Sequence, residues 1–153
     1  MMKYLLIYIL FLTQLFSYQK LQNDNFVEYR IKTNFEDIVY ALEDEMITDG
    51  FILSYRSNIG KVANTNAKYY KKPPIFINAK KLGFCKNSLG YKLLAENKNN
   101  ILYCPISIAI YESSPHNVIL LYQLAQKINT SDTSVDMLNQ TILELLENII
   151  DGF

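Results

Sequence analysis

Apolar and polar positions change period several times along this chain, and each change marks an element. Phe26, Val27, Tyr29 and Ile31 interleave with Glu28, Arg30 and Lys32, a two-residue period that predicts a first strand. Thr33 or Asn34 can then accept a hydrogen bond from the free amides of a following helix, with Glu36 and Asp37 placed against its positive end. The period now lengthens. Phe35, Ile38, Val39, Leu42, Met46 and Ile47 recur three or four residues apart, which predicts a helix over 35–49 with Glu36, Glu43, Asp44 and Glu45 facing water. Gly50 can take the positive φ that ends helices, and Phe51 to Tyr55 reads as a second strand.

The middle of the chain is less regular. Ile59, Val62 and Ala63 suggest a short helix, and Pro73-Pro74 prevents any continuation into the next segment. Ile75-Phe76-Ile77 predicts a buried third strand, after which Asn87 or Ser88 caps a helix carrying Leu89, Tyr91, Leu93, Leu94 and Ala95. Two stronger strand signals follow, Ile101 to Tyr111 and Asn117 to Leu124, joined by the turn Ser113-Ser114-Pro115-His116-Asn117. Val135, Leu138, Ile142, Leu145, Leu146 and Ile149 form one stripe, which predicts an amphipathic C-terminal helix. The order predicts an α+β fold: a mostly antiparallel sheet with helices packed on one face.

Composition bounds this picture without changing it. The chain has 153 residues, 50% of them hydrophobic and 20% charged, so it can bury a real core as a single domain. Fifteen basic residues balance 15 acidic ones, which removes the overall basic field that nucleic-acid binding relies on. The first segment reads differently from the rest. Lys3 precedes the apolar run Tyr4 to Leu12, polar Thr13 and Gln14 follow, and Leu15-Phe16 extend the apolar run up to the small, polar Ser17. That order is expected of a secretory signal peptide over 1–17, cut near Ser17, in preference to an uncleaved anchor or a core helix. A polar linker is expected over 18–25, the α+β domain over 26–124 and a helical extension over 125–153. The expected location is periplasmic or secreted, with no stable membrane span after processing.

Phe84-Cys85 before a helix, then Cys104-Pro105 opening a strand that ends in Tyr111 and Glu112, then Tyr122 on its hairpin partner, form a recognisable set. On these residues the chain resembles the bacterial and archaeal family known as domain of unknown function 302, over about Phe26 to Tyr122. The resemblance implies an antiparallel sheet flanked by helices, related to the TATA-binding-protein-like folds. The family has no established biochemical role, so the resemblance implies Phe84, Pro105, Tyr111, Glu112 and Tyr122 as motif positions and no catalysis.

Cys85 and Cys104 are the only cysteines, and 18 residues separate them. An even count in an exported chain favours a disulfide; a redox-active or sulfur-handling pair and two free thiols are the alternatives. His116, the single histidine, falls in the hairpin turn and reads as a surface residue. Cys85, Cys104 and His116 match no metal-ligand spacing. Lys68-Tyr69-Tyr70-Lys71-Lys72 mixes basic and aromatic residues as single-strand binders do, but reads as a solvated loop. No phosphate-binding glycine loop, His-Glu-x-x-His motif or nucleophile elbow is present. The sequence therefore points to an exported binding or accessory protein rather than an enzyme, taking a small ligand or an exported protein partner and no nucleic acid or cofactor. A thiol-redox or sulfur-handling accessory role for Cys85 and Cys104 is the alternative.

Overall fold

The computed structural model describes residues 18–153, so the expected signal peptide lies outside the described residues. Among these residues six strands form one antiparallel sheet: β1 (Tyr18–Gln22), β2 (Phe26–Lys32), β3 (Ile52–Ser57), β4 (Asn78–Cys85), β5 (Ile106–Ser114) and β6 (Asn117–Gln123). Their spatial order is β1-β2-β6-β5-β4-β3. The helices described with them are α1 (Phe35–Thr48), α2 (Ile59–Tyr69), α3 (Asn87–Glu96) and α4 (Thr133–Ile150), with a 3-10 turn over Lys98–Tyr103.

Alternation along the strands fixes one dry face. Val27, Tyr29 and Ile31 of β2 face Tyr122, Leu120 and Val118 of β6, and Ile108 and Ile110 of β5 continue the same rows. Leu82 extends the Tyr122–Ile108 row into β4, and Phe84 pairs with Ile106 one row further along. Ile38, Leu42 and Met46 of α1, Leu89 and Leu93 of α3, and the whole stripe of α4 cover this face. Asn34 caps α1 by accepting from the Glu36 amide at 2.9 Å, and Gly50 ends it at φ +83° while Phe51 N–H closes back onto Met46 O at 2.9 Å.

Two helix ends are joined through one carboxylate. Glu96, at the end of α3, accepts from the Ser134 hydroxyl and from the Ser134 and Thr133 amides at 2.7 and 2.8 Å. These bonds, the Ser134 hydroxyl foremost, pull its pKa down to about 2. On the dry face, burial drives up the pKa of Tyr29, whose hydroxyl donates to Glu147 Oε1 of α4 at 3.2 Å, and the neighbouring Glu147 adds to the shift. Tyr122 donates to Asn139 Oδ1 at 2.9 Å, and the same Asn139 amide brackets both backbone polar groups of Ala125.

Several elements differ from the sequence reading. Residues 18–22, expected as a polar linker, pair with β2 as an edge strand. Ile75-Phe76-Ile77 is not a strand: both oxygen and nitrogen of the Asn64 side-chain amide hold it as a loop, and the strand begins at Asn78. The strand expected from Ile101 starts at Ile106, because Lys98–Tyr103 forms the 3-10 turn. α1, α3 and α4 share the dry face as expected. α2 lies against the other face, where Gly60 approaches Ala79 so closely that a Cβ would sit 2.8 Å from the Ala79 nitrogen.

Leu42→Ala should cost roughly 2–5 kcal/mol by opening a cavity under α1. Glu43→Ala should cost no more than about 1, since its partner Arg56 is largely exposed; equal shifts in denaturant midpoint would refute the assigned face. Because the folded Glu96 pKa is depressed, its stabilising effect is complete above the ordinary value near 4.5 and is lost as pH falls toward 2. Glu96→Gln should flatten the acid arm of the stability curve across that window.

Candidate functional site

Among the described residues, three helices cover one sheet face, and the other is open beyond α2. Residues there alternate with the core: Phe26, Glu28 and Arg30 on β2, Ile119, Leu121 and Gln123 on β6, Ser107, Ala109 and Tyr111 on β5, and Lys81 and Gly83 on β4. Phe26, Ala109 and Leu121, with Asn25, Glu28, Lys81, Ser107 and Gln123, line an open hollow of about 400 Å³ floored by the sheet. Glu28 and Arg30 pair along one strand at 2.5 Å. Among the described residues Lys81 has no carboxylate partner. Such a floor can take a flat apolar body, and Lys81 can meet an anionic group on it. A larger hollow of about 700 Å³ opens between β1, β2 and the β5–β6 turn, but it borders Tyr18, where the described residues begin.

A glycine and a tyrosine pack together beside Ser107. A Cβ at Gly83 would overlap the Tyr55 ring, so the ring lies flat on the bare backbone of β4 and its hydroxyl reaches Ser107 Oγ at 2.6 Å. A register shift in β3 between Leu53 and Tyr55 aims the ring there.

The residues singled out from sequence scatter over both faces. Phe84 and Tyr122 are core. Glu112 is buried on the core side, accepting from His116 N–H at 2.7 Å and Asn78 Nδ2 at 2.8 Å, so it pins the β5–β6 turn. His116 itself is exposed at φ +60°. Tyr111 alone looks onto the open face, edge to face with Phe76 at 5.4 Å. Pro105 is exposed at the mouth of β5.

Cys85 and Cys104 form a disulfide with Cα atoms 5.4 Å apart, as the even cysteine count favoured. It ties the end of β4 to the start of β5 across α3, and Gly90 of that helix rests over both sulfurs. With both sulfurs bonded to each other, no thiolate is left for a metal set with His116; among the described residues no group of three His, Cys, Asp or Glu could hold an ion. Sequence reasoning missed Phe26, Lys81, Ser107, Ala109 and Leu121. The signal was the unbroken apolar run Val118 to Tyr122, which buries both faces of β6 in part.

Reducing the bridge, or replacing both cysteines by serine, should cost roughly 3 kcal/mol by restoring chain entropy to the 18-residue loop. An unchanged denaturant midpoint would show that the bridge contributes nothing to stability.

No curated protein is significantly similar to the chain. Among solved structures, the crystal structure of the uncharacterized conserved protein DUF302 from Bacillus stearothermophilus is similar with a TM-score of 0.61 and 14% identity, covering 81% of this chain and 95% of that one. At that identity the likeness shows the fold alone. A family model, Domain of unknown function DUF302, matches residues 27–153. The match takes in α4, so residues 125–153 are part of the matched region and not an extension of it. Running from the first core residue of β2 to the last residue of the chain, this match places the protein in the DUF302 family.

Proposed function

We propose that the protein is an exported binding protein that holds a small amphipathic anion on the open face of its sheet. The hollow lined by Phe26, Ala109 and Leu121 carries this reading: about 400 Å³ falls within the roughly 300–1,000 Å³ range of small-molecule sites, and a few polar groups share its lining with these apolar side chains. Lys81 supplies the charge that would orient the ligand. Export is supported by the basic-then-apolar order of Lys3 and Tyr4 to Leu12, and by the disulfide, since such bridges persist in oxidising compartments. The thiol-redox alternative has less support. Both cysteines are only half-exposed and α3 lies over their sulfurs, which restricts attack by a partner thiolate.

The probe 1-anilinonaphthalene-8-sulfonate combines an apolar ring system with one anionic group. It should bind the native protein saturably, one to one. Ala109→Phe, which fills the floor, and Lys81→Glu, which reverses the rim charge, should each weaken binding at least tenfold while thermal unfolding stays cooperative. Non-saturable fluorescence, or binding indifferent to both variants, would remove the hollow as the site.

A further inference from the structure

Between Gly50 and Ala95 the chain carries Arg56 and eight lysines and no aspartate or glutamate, so all 15 acidic residues lie elsewhere. The zero net charge therefore hides a basic block built from β3, α2, β4 and most of α3. On the helix-covered side α1 neutralises three of its cations: Arg56 pairs with Glu43 at 2.6 Å, Lys80 with Glu36 at 2.7 Å and Lys86 with Asp49 at 2.9 Å. Lys61, Lys68, Lys71 and Lys72 are exposed and pair with no carboxylate among the described residues. All four belong to α2 and the turn after it.

Apolar side chains sit among these lysines and are equally open to water: Val62 is 59% exposed, Tyr69 79%, Tyr70 69% and Ile75 58%. The arrangement is fixed. Tyr70, Lys71 and Lys72 amides fold back onto Asn66, Lys68 and Ala67 carbonyls at 2.8–3.1 Å, and the Asn64 amide clamps Ile75 and Phe76 from both sides. The rings of Tyr69 and Tyr70 meet edge to face at 5.1 Å. The backbone of the turn is thus ordered before any partner arrives.

We propose that α2 and the turn over 70–77 form a peripheral docking surface for a lipid bilayer containing anionic phospholipid. Lysines on this surface meet headgroup phosphates, tyrosines suit the polar–apolar boundary, and Val62 and Ile75 leave water by entering the upper acyl region. A nucleic acid or acidic polysaccharide would use the lysines but gives exposed aliphatic side chains no reason to be there. Charge placement also orients the approach: the acids of α1 and α4 lie across the sheet from α2, so an anionic surface attracts one side of the molecule and repels the other.

The test is sedimentation of the full chain with vesicles of phosphatidylcholine alone and of equimolar phosphatidylcholine and phosphatidylglycerol. The segment Lys3 to Leu12 is common to every variant, so the change in the ratio of affinities between variants reads the docking surface. Phosphatidylglycerol should tighten binding at least tenfold, with the gain falling as salt rises. Lys68→Gln, Lys71→Asn and Lys72→Gln together should remove it, at roughly fivefold per lysine; asparagine suits the positive φ of residue 71. Tyr69→Ser with Tyr70→Ser should weaken binding to the mixed vesicles and leave the salt dependence in place, with circular dichroism unchanged in both variants. Equal affinity for the two vesicles, a preference untouched by the lysine changes, or retention on heparin or single-stranded DNA without a phosphatidylglycerol preference would each overturn the proposal.

Discussion

One-sided burial of the central strands is the constraint on which the rest of this fold depends. β2, β6 and β5 sit in the middle of the sheet, and their core residues alternate so strictly that a one-residue slip would turn every one of them outward. α1 and α4 answer that face with stripes of matching length, and the register is held by polar groups that cannot be buried unpaired. Tyr29 reaches Glu147, and Tyr122 reaches Asn139. A hydroxyl in the middle of a dry layer costs free energy unless its partner is in place, so these two bonds fix where α4 can lie along the sheet. The disulfide and the Glu96 cap then fasten α3 at its two ends, between β4 and β5 on one side and α4 on the other.

How far this was legible in the sequence follows from the same physics. Elements with one dry and one wet side announce themselves: β2, α1, β6 and α4 appeared with bounds close to the observed ones. β4 did not, because Lys80 and Lys81 occupy its middle and its two large core residues, Leu82 and Phe84, come late. β1 was hidden for a related reason. An edge strand with one neighbour need contribute little to the core, and Tyr18-Gln19-Lys20-Leu21-Gln22 reads as a polar join until its partner is known. The cysteine pair was legible from its even count, and its Cα atoms stand within bridging distance at 5.4 Å. The open face was the least legible feature of all. Ser107, Ala109 and Leu121 have no motif in common, and only the sheet order makes them neighbours.

A net charge of zero was informative in one respect and misleading in another. It describes the far field, yet the near field is set by where charges fall in the fold. Here the acids of α1 neutralise the basic block on the helix-covered side, and nothing among the described residues neutralises α2. The sheet thus separates two environments, one sealed and internally paired, the other open, cationic at one wall and apolar at its floor.

That separation links the two proposals physically. α2 packs on Ala79 of β4, and Lys81, two residues further along the same strand and face, stands at the rim of the hollow. A protein docked through α2 would hold the hollow beside the headgroup layer, where an amphipathic anion gathers when burial of its apolar body outweighs repulsion by the anionic surface. Modest intrinsic affinity would then suffice for occupancy, since a ligand confined to the surface meets the site far more often than one dispersed in bulk water. The apolar floor at Phe26, Ala109 and Leu121 suits a molecule that leaves a bilayer edge on, with its anionic group trailing toward Lys81.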